Sequence, residues 1–277
     1  LHKAIRRQRQ MCIRDSNNVM KKVVLSVAIM SFALLANAQV LKKDLLKDYK
    51  PGDQLEKAVY GDKKEPIRTD SWNGAFSTNP LEGVGSPLVG KALSYKGYPE
   101  GGLSIDIGNF PADIKGSRFS VYSLTDVNKE YRKGTYYLAF LANFSKLGGS
   151  NFADFVALDI NYTGGANRGK VFVAREGKDK IKFGVSVRNM RTEGTETYDY
   201  DKTHLLILKV DYDKNQASLF VNPELSKKEP KATLVADGEE NDLKNGLKGI
   251  SFRYRRGYKG RVGNFRFADN WATAIGK

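Results

Sequence analysis

The densest run of chemistry-bearing residues is RYRRGYKGR at 253–261, where Arg253, Arg255, Arg256, Lys259 and Arg261 surround Tyr258. A guanidinium offers two parallel N–H donors that match a carboxylate or sulfate, and a tyrosine ring offers a face to a sugar. If Ile250, Phe252 and Tyr254 face a core, strand alternation turns Ser251, Arg253 and Arg255 outward. Arg256, Tyr258, Lys259 and Arg261 then crowd the adjoining hairpin, with Arg266 on the next strand. That pattern suits a surface for an anionic polymer. It equally describes an edge hairpin kept soluble and unpaired by positive charge, and basic runs more often mark such solvated faces.

The other basic run, at the amino end, has a different origin. Residues 1–16, LHKAIRRQRQMCIRDS, resemble a translated sequencing adapter. Arg6–Asp15 follow one reading frame of the adapter, which ends in a transposon end, and its last bases open the Ser16 codon. Leu1 and His2 fit the bases before the index, and Lys3–Ile5 leave room for it. The stretch is read as translated reagent, Asn17–Val19 as leader read through in frame, and Met20 as the start. Residues 1–19 are expected to pack against nothing.

From Met20 the chain has the three parts of a secretory signal. Lys21 and Lys22 are its charged region, Val23–Leu35 its apolar region, and Ala36-Asn37-Ala38 a small-x-small cleavage site. The apolar run is shorter than the ~20 residues of a spanning helix, so cleavage after Ala38 is expected, and no membrane span afterwards. The mature protein is expected to be secreted or periplasmic.

Setting residues 1–38 aside changes the chemistry on offer. They hold seven of the 46 Lys and Arg and one of the 31 acids, so the formal charge falls from +15 to +9. They also hold the chain's single cysteine, Cys12. Without cysteine there is no disulfide framework, thiol nucleophile or cysteine-bound zinc. One histidine, His204, remains; it cannot supply a multi-histidine metal centre, and at the start of a strand it reads as structural rather than as part of a Ser-His-Asp triad. Export also removes nucleic acid as the natural partner of the basic residues.

These groups must be carried by strands. Leu103, Ile105 and Ile107 alternate with other residues, as do Ile181, Phe183, Val185 and Val187, and later Ala217, Leu219 and Val221. Period two places one face on a core and the other toward solvent. GTYYLAFLANF (134–144) and THLLILKVDY (203–212) are apolar throughout, as central strands are. Glycine, asparagine and aspartate punctuate the runs, which predicts about a dozen short strands in an all-β sandwich or barrel. A polar lead-in at 39–50 ends at Pro51-Gly52, and one domain is expected over 51–277.

At this level the chain resembles a known group. The segments THLLILKVDYDKNQASLFVNPEL (203–225), GISFRYRRGYKGRVGNFRFADNWATAI (249–275) and LVGKALSYKGYPEGGLSIDI (88–107) are similar to the concanavalin A-like, laminin-G-like jelly-roll modules of exported bacterial proteins. The likeness runs over Tyr49–Ile275. It implies a two-sheet antiparallel jelly-roll β-sandwich. It also implies a non-catalytic binding protein whose ligand is a polysaccharide or envelope glycan. A structural or adhesive role with envelope proteins as partners is the alternative, and a divergent polysaccharide hydrolase or lyase is a further one.

Enzymes of that fold carry recognisable catalytic signatures. Glucanases set two carboxylates about 5 Å apart on one strand face. The nearest candidate is ADFVALDINY (153–162), where regular alternation sends Asp154 and Asp159 to opposite faces. Lyases of this fold use an Arg-rich strand, a Gln-x-His strand and a Tyr strand, and His204 stands in no such motif. No catalytic residue is assigned. Asp211-Tyr-Asp213-Lys-Asn215 imitates a calcium loop, but Gln216 stands where its glycine belongs and Asn222 where its glutamate belongs, so a hairpin turn fits better. Glu193, Glu196, Asp199 and Asp201 read as a solvated acidic loop, and calcium at such loops is the one cofactor left in view. Of the two tryptophans, Trp72 in the polar stretch TDSWNGAF is the better candidate for stacking on a sugar. Trp271 is expected to pack against the sandwich end, and packing is the commoner fate of either ring.

Overall fold

The computed structural model describes residues 40–60, 69–75, 84–108, 110–111, 113–124, 131–161 and 167–277. The adapter-like stretch with its expected lack of packing, and the leader at 20–38, lie outside the described residues.

In chain order the strands begin with β1 (Val40–Lys43), β2 (Ala58–Tyr60), β3 (Trp72–Ala75), β4 (Leu88–Gly90), β5 (Ser104–Asp106) and β6 (Ser117–Ser123). Next come β7 (Thr135–Lys146), β8 (Ala153–Asp159), β9 (Asn167–Glu176), β10 (Lys180–Val187), β11 (Met190–Glu193) and β12 (Tyr198–Asp199). The series closes with β13 (Thr203–Asp211), β14 (Gln216–Val221), β15 (Leu234–Asp237), β16 (Gly249–Arg255), β17 (Lys259–Ala268) and one short helix, α1 (Trp271–Ala274). An eight-stranded sheet runs β15-β14-β13-β7-β17-β5-β4, with β1 also on β17. A nine-stranded sheet runs β11-β10-β9-β8-β16-β6-β3-β2, with β12 on β10. Pairing is antiparallel apart from β2 with β3. This is the all-β sandwich that the alternation predicts, with the two antiparallel sheets of the jelly roll that the resemblance implies.

The core lies between the sheets. Leu138, Phe140 and Phe144 of β7 and Leu206, Leu208 and Val210 of β13 meet Val171, Val173, Phe183, Val185, Ile250 and Phe252 from the other layer. Each fully buried side chain of this kind contributes roughly 1.5–3 kcal/mol. The continuous apolarity of β7 and β13 has its own cause. Tyr137, Ala139, Leu141, Leu205 and Ile207 point outward but are covered by Trp271, Ala274 and Ile275, together with Leu93, Tyr98 and Phe220. Asn270 caps α1 by accepting the Thr273 N–H at 2.9 Å, and Trp271 Nε1 donates to the Ser226 carbonyl at 2.9 Å. Trp271 therefore packs on the sandwich, as expected. The polar lead-in is part of the same body: β1 pairs with β17, and Leu45 and Leu46 are buried in the core.

Candidate functional site

The basic run at 253–261 does not make one patch. β16 lies inside the nine-stranded sheet between β6 and β8, and β17 lies inside the eight-stranded sheet between β7 and β5. The turn between them, with Gly257 at φ 79°, crosses from one layer to the other. This corrects both the hairpin expectation and the solvated-edge alternative, because neither strand is an edge. Sequence adjacency says nothing about which sheet the second strand joins. Ile250, Phe252 and Tyr254 do face the core, leaving Ser251, Arg253 and Arg255 on the outer face. Tyr258 is buried in the core, Arg256 is exposed at the turn, and Lys259 and Arg261 belong to the other layer.

On the outer face of the nine-stranded sheet, seven residues stand directly opposite one another in a single row: Asn73, Val121, Ser251, Ala157, Lys170, Ser186 and Arg191. At ~4.8 Å per strand the row is roughly 29 Å long. Beside it lies a charged cluster. Asp154 accepts from Arg253 Nη1 at 2.8 Å and from Arg255 Nη2 at 3.1 Å, and the latter also donates to the Asp154 carbonyl at 2.6 Å. The Arg253 guanidinium lies 4.0 Å from the centre of the Phe119 ring, a cation–π contact. Burial works against the Asp154 carboxylate, but Arg253 and Arg255 outweigh it and hold its pKa below the ordinary value.

Asp159 is on the same outer face, which corrects the expectation that it and Asp154 oppose each other. The register shift between Asp154 and Val156 breaks the alternation of β8 by one residue, whereas the shift between Leu158 and Asp159 leaves its extra residue, Arg168, on β9. Phe155 and Val156 both enter the core, and Asp159 comes to lie opposite Gly249. Complete burial pushes the Asp159 carboxyl up to about 7, with the neighbouring Ser251 hydroxyl acting against the rise. Neither carboxylate oxygen has a well-formed hydrogen bond among the described residues.

Toward β11 the face opens into a cavity of about 420 Å³ lined by Lys170, Phe172, Ser186, Arg188, Asn189, Arg191 and Glu193. Arg191 pairs with Glu193 at 2.5 Å and lies 5.4 Å from the Phe172 ring centre; Arg188 pairs with Asp242 at 3.2 Å. Lys170 differs from both. Its ammonium sits 5.7 Å from the Phe172 ring centre, burial lowers its pKa, and it has no hydrogen bond or ion pair among the described residues. Sequence reasoning missed this cavity. Its signal was the outward pair Lys170 and Phe172 in GKVFVARE and the turn Arg188-Asn189 before Arg191, but only strand pairing brings them together.

The remaining candidates are structural. Trp72 is fully buried on the core side of β3, its Nε1 donating to the Leu45 carbonyl at 3.1 Å and its ring 5.5 Å from Tyr122. The sugar-stacking expectation for Trp72 is therefore corrected: the polar stretch is a strand, and its outward residue is Asn73. His204 is buried, with Nε2 2.9 Å from the Asp199 carbonyl and Nδ1 3.1 Å from the Asn222 amide nitrogen. A carbonyl only accepts and an amide NH₂ only donates, so the ring is neutral with its proton on Nε2. The calcium-like stretch is the β13–β14 turn: Asp211 accepts the Lys214 N–H at 3.0 Å, and Asn215 takes φ 52°. In the acidic loop, Asp199 pairs with Lys180 and Lys202.

No family model matches the sequence, and no curated protein does. Among solved structures, similarity extends to one described under "Prominent members of the human gut microbiota express endo-acting O-glycanases to initiate mucin breakdown", at 14% identity over 71% of this chain and 91% of that chain, TM-score 0.42. A sialidase matches at 9% identity over 72% of this chain and 17% of its own, TM-score 0.38. Alginate lyase A1-II′ of polysaccharide lyase family 7 matches at 9% identity over 62% of this chain and 82% of its own, TM-score 0.35. At these identities and superpositions none of them fixes an activity for this chain.

The arrangement itself has definite chemical capacity. A row of small and polar side chains forms a floor, Lys170 and Arg191 lie over the buried Phe172 ring, and Asp154 and Asp159 act on the Lys170 charge through space without a direct contact. Among the described residues, no group of three or more His, Cys, Asp or Glu side chains is placed to share a metal ion. None of their helices is long and apolar enough to cross a membrane.

Proposed function

We propose that this chain is an exported, non-catalytic binding protein, and that the outer face of its nine-stranded sheet binds an anionic polysaccharide. The observation that carries the reading is Lys170: a half-buried ammonium, unpaired among the described residues, in a cavity it shares with Arg188, Arg191 and Phe172. A uronate or sulfate group supplies the contacting counter-charge that Asp154 and Asp159 provide only at a distance, while the sugar ring packs on the Lys170 and Arg191 side chains that cover Phe172. Asn189 offers hydrogen bonds to its hydroxyls, and Arg253 and Arg255 extend the positive surface along the face.

Binding is favoured over cleavage by the two carboxylates. Asp154 is engaged by two arginines and Asp159 is completely buried, so neither is presented to a substrate as a free acid or base. Along the strand they are roughly 13–16 Å apart, beyond the ~5–9.5 Å that two-carboxylate glycoside hydrolysis uses.

The test is titration of the full chain with uronic, sulfated and neutral polysaccharides at two salt concentrations. Salt-sensitive binding of the anionic polymers is expected, weakened about tenfold by Lys170→Ala and by Arg191→Ala. Absence of binding to every anionic polymer at low salt sinks the reading. Release of reducing ends or unsaturated products refutes its non-catalytic half.

A further inference from the structure

Leu88, Asp106, Arg261, Asn143 and Thr203 stand directly opposite one another on β4, β5, β17, β7 and β13. They form a row on the outer face of the eight-stranded sheet, the side of the sandwich opposite the face discussed above. The middle of that face is covered by α1 and its apolar cluster, but the end of the sheet near Ser145 and Lys259 is exposed. There Asp106, Asn143, Ser145, Asp201, Lys259 and Arg261 bound an open cavity of about 490 Å³, within the ~300–1,000 Å³ typical of small-molecule sites.

The charges around this cavity have not collapsed onto one another. Opposite charges directly across a strand pair attract and commonly join. Here Arg261 Nη1 donates to the Lys91 carbonyl at 3.2 Å, and Asp106 Oδ1 accepts the Gly108 N–H at 2.8 Å. Among the described residues, no ion pair joins Asp106 or Asp201 to Lys259 or Arg261. Donor and acceptor capacity is left over on all four.

We propose that this cavity is a second binding site, for a neutral sugar unit. Two acids and two bases leave it without net charge, which gives a polyanion no advantage. A zwitterion needs two separate poles, but the charges are interleaved. Asp106 is directly opposite Arg261, and the Asp201 N–H bonds the Phe144 carbonyl at the position that pairs with Gly260, next to Lys259. Neighbouring hydroxyls, each both donor and acceptor, use such an alternating set fully. The two sites lie on opposite faces and share no residue, so one molecule can hold two different glycan chains.

The experiment is calorimetric titration of the full chain with maltose, cellobiose, xylobiose, mannobiose and lactose, with glycine betaine and glutamate as charged comparisons. Saturable millimolar binding of at least one disaccharide is expected, unchanged between low and high salt and unchanged by Lys170→Ala. Asp106→Asn, which keeps an acceptor for the Gly108 N–H, is expected to weaken it about tenfold, as is Arg261→Ala. Retention of anionic-polymer binding by these variants, or for a polymer-silent protein an unchanged melting temperature, shows that they fold; Asn143→Ala replaces either one that does not. Failure of every disaccharide, tighter binding of a charged comparison, or equal affinity in the folded variants overturns the proposal. The salt-independent signal separates this site from the anionic face, so either can fail alone.

Discussion

Asp154 and Asp159 share the outer face of β8 although five positions separate them, and their surroundings drive their acidities apart. Two guanidiniums hold Asp154 ionised. Burial without a strong donor raises the Asp159 carboxyl to about 7, so that it is largely protonated only below neutral pH.

The first prediction concerns Asp159→Asn. The folded-state value of about 7 lies above the ordinary 3.8, so between them the folded chain keeps a proton that the unfolded chain releases. This group's contribution is therefore most favourable at low pH and is eroded as pH rises through that window. The amide copies the neutral acid and cannot ionise. Asp159→Asn is expected to raise the melting temperature relative to wild type at pH 8 and to leave it nearly unchanged at pH 4. A difference independent of pH in paired thermal melts refutes the assignment.

Much of the sandwich was legible because burial imposes a period. Ile181, Phe183, Val185 and Val187 line up on the core side of β10, and the apolar β7 and β13 are central strands. The site was less legible, for three physical reasons. A shift of register in β8 reverses the face of everything beyond it, and five-residue spacing alone cannot reveal it. Trp72 looked exposed because its sequence neighbours are polar, yet a strand buries alternate residues whatever lies between them. Lys170 and Arg191 meet only through β10, by pairings that no local pattern encodes.

His204 supplies a second pH-dependent prediction with the opposite sign. Burial lowers its pKa below 6.5, so the unfolded chain binds the proton more readily and stability falls as pH drops below that value. His204→Leu leaves the Asn222 amide without its acceptor and is expected to cost about 1–3 kcal/mol at pH 8. That deficit should narrow toward pH 5, where the wild-type ring loses its own advantage. Urea titrations at both pH values check it, and a deficit that widens on acidification counts against the neutral-ring assignment.

Asp154→Asn separates stability from binding. Loss of the shared counter-charge leaves Arg253 and Arg255 side by side, which is expected to cost up to about 3 kcal/mol. The same change frees both guanidiniums toward the outer face. Affinity for a sulfated or uronic polymer should therefore rise several-fold at low salt, with a steeper salt dependence. A variant that is destabilised but binds no better shows that the two arginines serve only the fold.

The last prediction tests whether the floor of the second cavity is as tightly built as its pairing indicates. Gly263 sits on β17 two residues after Arg261 and opposite Ser104 of β5, two residues before Asp106. A Cβ at 263 would collide with the Leu103 carbonyl oxygen and with Ser104 backbone and side chain, atoms of a paired strand that cannot swing away. Gly263→Ala must therefore push β5 from β17, separating Asp106 from Arg261. The expected result is a cost of about 1–3 kcal/mol, read as a drop in melting temperature, together with loss of disaccharide binding. Gly85→Ala is the control, since among the described residues nothing lies within 4 Å of a Cβ there. Equal melting temperatures for the two alanine variants would mean that β5 and β17 are more loosely joined than their register requires.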